Sequence, residues 1–157
     1  MKKILLAVLM SAVLAGLSFG EDAMKKDMKM NMPATEKIEV DGYTVGHSLM
    51  TMMEHHKMMQ DMKMDMSEMK MDVKASHHLS LKISDAKTGK SIGNAVVKVK
   101  AISPDKSSQE KMAMANKMMN DYGADLIIKE KGKYGIIVLF KTADGKKHIV
   151  KFWEEVI

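Results

Sequence analysis

Apolar and polar residues alternate along the second half of this 157-residue chain, and this alternation predicts β-strands. Apolar residues alternate with polar ones through residues 79–83, Ala95, Val97, Val99 and Ala101 alternate again, and apolar runs follow at 124–129, 134–140 and 148–156. Turn-forming sequences such as EKGK and TADGKK separate the later runs. The pattern therefore predicts five short strands joined by tight connections.

A further pair of strands is predicted upstream, where the sequence IEVDGYTV places Asp41 and Gly42 between two apolar stretches. An Asp-Gly pair is typical of a two-residue hairpin turn. Together with the five downstream segments, this gives about seven strands at the spacing of a β-sandwich. The predicted fold is all-β, an Ig-like β-sandwich that spans residues 37–157.

A methionine- and histidine-rich segment at residues 47–74 interrupts this strand pattern. Within residues 52–72 there are nine methionines and two histidines. Six of these side chains follow a 3-4-3-4-3 spacing that places them on one face of a helix: Met52, His55, Met59, Met62, Met66 and Met69. The alternation in MKMDM at 62–66 leaves a strand open as an alternative. Because charges interleave with the methionines, we expect the segment to be partly helical or disordered without a ligand.

The first twenty residues have the pattern of a secretory signal peptide. Lys2 and Lys3 precede an apolar run that ends near Leu17, and small residues at Ser18 and Gly20 follow. We expect residues 1–20 to be removed, residues 21–36 to form a Met/Lys-rich flexible segment, and the protein to be periplasmic or secreted. The absence of cysteine excludes disulfides and a lipoprotein anchor.

Composition argues against nucleic acid as a partner. All 25 basic residues are lysine, whereas bidentate recognition of phosphates and bases favours arginine. One Trp, three Tyr and three Phe give few rings on which bases could stack. The lysines are better explained as a solvated surface.

The methionines and histidines together indicate a site for a soft metal ion. Thioether sulfur selects Cu(I) and similar ions, imidazole extends the range to Cu(II), and a thioether needs no deprotonation. Sulfur and imidazole lie three residues apart repeatedly, as in Met52-x-x-His55, where side chains on a helix meet. The candidate ligands in this segment are His47, Met50, Met52, Met53, His55, His56, Met58, Met59, Met62, Met64 and Met66. A Met-rich docking face for a partner protein and a sacrificial sink for oxidants remain open as alternatives.

The stretch KMAMANKMMNDYGADLIIKEKGKY at 111–134, with HHLSLKI upstream and KKHIVKFWEEV downstream, resembles a known family. It is similar to the Ig-like periplasmic copper-containing proteins that accompany high-affinity iron permeases. The resemblance implies copper ligands at His78, Met114 and His148, converging at one end of the sandwich. Asp121 stands where the family has a histidine before Tyr-Gly, and Ser80 stands where it often has an acidic residue. With Asp121 as a fourth ligand, the implied site is a mixed N/S/O site.

Motifs for catalysis are sparse. The chain contains no H-E-x-x-H, G-x-S-x-G or P-loop, and its S-x-x-K and K-T-G elements share Lys87. We therefore expect a non-enzymatic periplasmic protein that captures Cu(I), Ag(I) or Cu(II), for sequestration or delivery. An iron-uptake accessory role, with iron as the cargo, is the alternative that the resemblance implies. An inner-membrane metal permease or efflux component is the expected partner, and a homodimer is left open.

Overall fold

The computed structural model describes residues 36–65 and 72–157. The strands are β1 Glu36–Val40, β2 Tyr43–Thr51, β3 His77–Asp85, β4 Val96–Ile102, β5 Ser108–Asn116, β6 Asp121–Leu126, β7 Gly132–Lys141 and β8 Lys147–Val156. Helix α1, Met52–Asp61, follows β2 directly. The predicted signal peptide, nearly all of the segment at 21–36 and the candidate ligand Met66 lie outside the described residues. Within the described ranges, no helix has the length and apolar character needed to cross a membrane.

The strands form an antiparallel sheet in the order β1-β2-β3-β6-β5-β4-β7-β8. Strand β5 belongs to both halves, because Ser108–Ala113 pairs with β4 and Met114–Asn116 pairs with β6. The two edge strands approach each other, and the ring of His47 in β2 stacks on Phe152 of β8 at 3.7 Å. The sheet therefore folds over on itself into a nearly closed structure, which confirms the predicted all-β class.

Inward-facing residues of the strands form one apolar core. On β3, Leu79, Leu81 and Ile83 are fully buried and belong to the same cluster as residues of β4, β6 and β7. The Tyr122 hydroxyl is also anchored in the protein, since it donates to the Ile92 carbonyl and accepts from the Ala95 amide, each at 2.8 Å. This core packing and the pairing of β3 with β6 hold the outward-facing residues of the two strands at fixed positions relative to each other.

The hairpin between β1 and β2 has the predicted two-residue turn. Val40 pairs with Tyr43, and Asp41 and Gly42 both have positive φ, at 50° and 82°. Positive φ at both positions is the geometry that favours an Asp-Gly sequence.

The strand boundaries differ from the sequence prediction at three places. Strand β5 was not predicted, because SQEKMAMAN lacks branched and aromatic residues and buries only Ala113. Strand β6 begins at Asp121 rather than residue 124. Strand β2 continues to Thr51, so residues 47–51 pair with β3 instead of interrupting the fold.

Helix α1 begins and ends at specific capping interactions. A capping box joins Thr51 and Glu54: Thr51 Oγ1 accepts from the Glu54 amide, and the Glu54 carboxylate accepts from the Thr51 amide at 2.8 Å. At the other end, Lys63 adopts φ 52°, and the Met64 amide bonds the Met59 carbonyl. This is the Schellman arrangement, with lysine at the position that usually holds glycine. The helical interpretation therefore holds for residues 52–61.

Helix α1 packs on the outer face of β2 and β3. Its buried residues are His55 and Met59, one turn apart. Met59 and Met50 of β2 are buried without belonging to the main core. They therefore lie in a second, smaller apolar layer on the outer face of the sheet, and this layer fixes the helix beside His78.

Candidate metal centre

His78 lies on the outer face of β3, between two strands that orient its ring. It is opposite Met50 on β2 and Asp125 on β6, so the three side chains share one face. The Asp125 carboxylate accepts a hydrogen bond from His78 Nδ1 at 2.7 Å. Metal-binding histidines are commonly fixed in this way, with one ring nitrogen bonded to a carboxylate and the other left for the ion.

Gly123 provides the space that the His78 ring occupies. A Cβ atom at Gly123 would be 2.5 Å from Cε1 and 2.8 Å from Nε2 of His78. The Cε1–Nε2 edge of the imidazole therefore lies directly over the backbone of β6. Because Gly123 pairs with Met114 on β5, this edge is also next to the strand that carries the thioethers.

Helix α1 adds a second imidazole. The rings of His55 and His78 are stacked, with centroids 3.7 Å apart and planes 4° from parallel. His55 is buried, and its Nδ1 has no hydrogen-bond partner. Burial, reinforced by the neighbouring His78, lowers the pKa of His55 to about 4. His55 is therefore neutral at pH 7, the form in which imidazole binds metals.

The stacked geometry limits how the two rings can share one ion. Imidazole binds a metal along a lone pair in the ring plane, at about 2.0–2.1 Å for zinc-like ions. Because the two rings are parallel, their lone pairs lie in two separate parallel planes and do not meet at one atom. One ring must rotate before both His55 and His78 can bind the same ion.

Methionines form the opposite wall of the site. On β5, Ala113 faces inward and is buried, whereas Met112 and Met114 face outward. They line a groove of about 740 Å³ that His55 and His78 line as well. Met58, Met64, Met118 and Met119 also line this groove. The groove therefore combines imidazole nitrogen with thioether sulfur.

Asp121 contributes a carboxylate to the same groove. It accepts a hydrogen bond from Ser80 Oγ at 2.7 Å. Burial raises the pKa of Asp121, against the hydrogen bond from Ser80 and the charges of nearby groups, which lower it. A carboxyl group whose charge is disfavoured by burial would be stabilised by a bound cation.

The donor atoms of the groove include thioether sulfur as well as imidazole nitrogen and carboxylate oxygen. Among residues 36–65 and 72–157, no group of three or more His, Asp and Glu side chains is arranged to hold a metal. The thioethers of the groove would complete such a donor set. The site therefore suits a soft or borderline ion better than a hard one.

The structure brings His55, Met58, Met64, His78, Met114 and Asp121 to this groove. It does not bring the other described candidates there. Met50 and Met59 are buried beneath the helix, and Met53 is exposed. The remaining candidates outside the lining are His47, Met52, His56, Met62 and His148.

The predicted convergence of His148 with His78 is wrong. The His148 ring lies 4.8 Å from that of Tyr43, which pairs with Asp85, at the end of β3 opposite His78. His78 and Asp85 are seven positions apart along β3, so His148 lies roughly 20 Å from His78. His148 is instead packed against Phe140, and its Nδ1 bonds to Asp41 at 2.9 Å.

His47 is also occupied elsewhere. In addition to its stacking on Phe152, its Nδ1 bonds to Glu154 at 2.7 Å. His47 occupies an inward-facing position on β2, where its ring is buried against Phe152 and does not face the groove.

Sequence reasoning missed Gly123 and Asp125 as residues that position His78. Both share the outer face of β6 with Asp121, while Tyr122, Ala124 and Leu126 face the core. The alternation in DYGADL could have shown this face. The sequence prediction begins this strand at residue 124 and therefore does not include the first part of its outer face.

No protein-family model and no curated protein matches the chain. Solved structures do match it. FetP of uropathogenic Escherichia coli, expressed in the periplasm, has 14% identity and a TM-score of 0.59 over 79% of this chain and 94% of FetP. A copper-bound FetP variant gives 14% and 0.60 over 79% of this chain and 90% of that one.

Two further solved structures match over similar lengths. A copper-bound variant of Campylobacter jejuni P19 has 13% identity and a TM-score of 0.56 over 77% of this chain and 94% of P19. A DUF4426 family protein of Pseudomonas aeruginosa has 10% identity and a TM-score of 0.59 over 78% of this chain and 96% of that one. At these identities the matches establish the fold that the chain shares with these proteins.

Proposed function

We propose that this chain is a periplasmic protein that captures copper in the groove between α1 and the β5–β6 hairpin. The observation that carries the proposal is the meeting of His55 and His78 with Met114 and Asp121 in one groove. These residues come from four different elements. Methionines that served only for packing would not be expected to lie beside two histidines and an aspartate from other elements.

The donor set suits copper in both oxidation states. Imidazole and carboxylate are good ligands for Cu(II), and thioethers favour Cu(I). Ag(I) shares the preference of Cu(I) for sulfur. His78 is oriented by Asp125 before any ion arrives, and His55 enters the coordination sphere when one ring rotates.

Proteins of the same fold support copper as the cargo. FetP and P19 variants have been solved in copper-bound form, and FetP was expressed in the periplasm. The signal-peptide pattern at residues 1–20 supports the same compartment for this chain. Asp121 in place of a histidine makes the site of this chain harder than the one the family resemblance implies.

The Met-rich segment at 52–72 then acts as the capture surface, and the groove as the site that retains the ion. Its helical part lies directly beside the groove, since Met58 contributes to the lining, and Met64, which follows the helix, lines the groove as well. Release to an inner-membrane permease or efflux component would complete a delivery role. Iron as the cargo is the alternative that the resemblance implies.

The test compares two histidines of the same chain with ring-preserving changes. His78→Phe removes the nitrogen donors but keeps an aromatic ring against His55, and His148→Phe is the matched control outside the groove. Cu(II) titration followed by electron paramagnetic resonance should show loss of the tightest site in the first variant and its retention in the second. Equal binding by both variants would exclude His78 as a ligand.

A docking face for a partner protein is the second candidate function. It is favoured by the exposure of Met112, Met114 and Met118, because exposed methionines adapt to varied partner surfaces. In that case Met114→Leu would preserve partner binding, and neither histidine change would alter copper binding.

A further inference from the structure

A second group of sulfur atoms lies on the β5–β6 side of the groove and extends from Met114 to the turn that follows β5. Met118 and Met119 belong to the turn between the two strands and line the same groove as Met114. Met114 and Met118 are each 75% exposed, so core packing does not account for them. We propose that Met118 and Met119 form, together with Met114, a second position for a soft monovalent cation such as Cu(I) or Ag(I), which adjoins the histidine site and shares Met114 with it.

The turn holds its two methionines in a defined conformation. The Asn116 side-chain oxygen accepts from the Met118 and Met119 amides at 3.0 and 3.2 Å. Asn120, with φ 53°, returns the chain to β6. Asn116 pairs with Asp121, so the turn is anchored at the end of the strand pair that carries Met114. The sulfur atoms therefore extend from a preformed hairpin.

The two positions lie on different sides of Met114. The His78 ring lies over Gly123, the partner of Met114 across the β5–β6 pair. Met118 and Met119 come after Met114 along the chain, beyond Asn116. An ion held by the turn can thus use Met114 from the side that faces away from the imidazoles.

The electrostatics of the groove favour a monovalent cation at a neutral sulfur site. Thioethers carry no charge and therefore do not neutralise a bound ion. The positive charge of the ion has to be balanced by nearby carboxylates. Four aspartates line the groove, Asp65, Asp72, Asp121 and Asp125, against two lysines. One of these lysines, Lys111, is already paired with Asp72 at 2.9 Å. The surplus of negative charge attracts a cation without supplying the several oxygen ligands that a hard divalent ion requires.

The experiment follows the methionine methyl groups of the full chain during Ag(I) titration. With 13C-labelled methionine methyls, the signals of Met118 and Met119 should shift together within the same equivalent of Ag(I), and the Met114 signal should respond in that step as well. The signals of Met50 and Met59, which are buried between α1 and the sheet beside the histidine site, should shift only in a separate step in which that site is filled. Independent shifts spread over many equivalents would overturn the proposal.

A double variant then separates this position from the histidine site. Met118→Leu with Met119→Leu keeps the apolar bulk and should lower the Ag(I) stoichiometry by one ion per chain in native mass spectrometry. Cu(II) binding to His78 should be unchanged, so the two positions can fail independently. Unchanged Ag(I) stoichiometry would contradict the second position, and joint loss of Cu(II) would contradict its separateness.

Discussion

Two histidines of this protein share one local arrangement and differ in everything around it. His78 and His148 each bond through Nδ1 to an aspartate, at 2.7 Å to Asp125 and at 2.9 Å to Asp41. His78 lies in a groove with thioethers and a second imidazole. His148 packs against the rings of Tyr43 and Phe140.

The comparison shows that a hydrogen bond to a carboxylate does not by itself bring other possible metal ligands to a histidine. The bond to aspartate fixes the tautomer in both cases. What differs is whether further donors can reach the free nitrogen. His148 Nε2 is buried without a hydrogen-bond partner, and that end of the fold supplies aromatic carbon. His78 has sulfur and imidazole within the same groove.

The largest effect is expected from filling the space beneath the His78 ring. Gly123→Ala would put a methyl group 2.5 Å from Cε1, so the ring must move. We expect copper affinity to fall by about 100-fold, the upper end of the range for changes that misorient a ligand. Isothermal titration calorimetry would measure this loss.

Gly135 supplies the matched control for that change. It lies beneath the exposed ring of Trp153, where a Cβ would be 3.2 Å from Cζ3, on the other half of the sheet. Gly135→Ala should leave copper affinity unchanged. A similar loss in both variants would point to general destabilisation, which thermal unfolding would reveal.

A smaller effect is expected when the aspartate partners are neutralised. Asp125→Asn should weaken copper binding by about 10-fold, because the His78 tautomer is no longer fixed by a carboxylate. Asp41→Asn, at the equivalent position beside His148, should change copper affinity by less than about 2-fold. Copper affinities measured by competition with a chelator would test the pair, and equal losses would remove the distinction between the two histidines.

His55→Phe should flatten the pH dependence of stability. The pKa of His55 is about 4 in the folded chain and 6.5 in the reference state, so the unfolded chain takes up the proton first as pH falls. The free energy of unfolding of the metal-free protein should therefore decrease from pH 6.5 towards pH 4. Phenylalanine keeps the stacked ring and removes this contribution.

Urea unfolding at several pH values measures the effect as a difference between parent and variant. The raised pKa of Asp121 acts in the opposite direction, but it is common to both proteins and largely cancels. Parallel stability curves for the two proteins would show that His55 is not buried as a neutral ring.

The smallest effect concerns the start of helix α1. Thr51→Ala removes the side chain that caps the helix and should lower the free energy of unfolding by about 1 kcal/mol. Chemical denaturation would measure this change. Since the cap holds His55 beside His78, copper affinity should fall slightly, whereas the surroundings of His148 should be unaffected.

Much of the fold was predictable because inward-facing residues repeat with a period of two. The alternation at Leu79, Leu81 and Ile83 corresponds to buried positions of β3, and the Asp-Gly pair corresponds to the hairpin turn. Strand β5 was not predictable in this way. Most of its residues are half-buried or exposed, so it carries no apolar alternation for sequence reasoning to detect.

The candidate site was predictable only in part. The residue types pointed to a soft metal, and His78, Met114 and Asp121 do lie in one groove. The exclusion of His148 depends on the long-range contact of β8 with Tyr43, at the end of the β2–β3 pair opposite His78, which no local pattern encodes. The stacking of His55 on His78 likewise depends on where the helix docks.

The most direct measurement is a crystal structure of the copper-loaded full chain, with anomalous diffraction at the copper edge. The account predicts copper about 2.0–2.1 Å from His78 Nε2, with a Met114 thioether bound and the His55–His78 stack opened. Copper bound at His148, or copper present while the two rings remain stacked and the groove is empty, would contradict it.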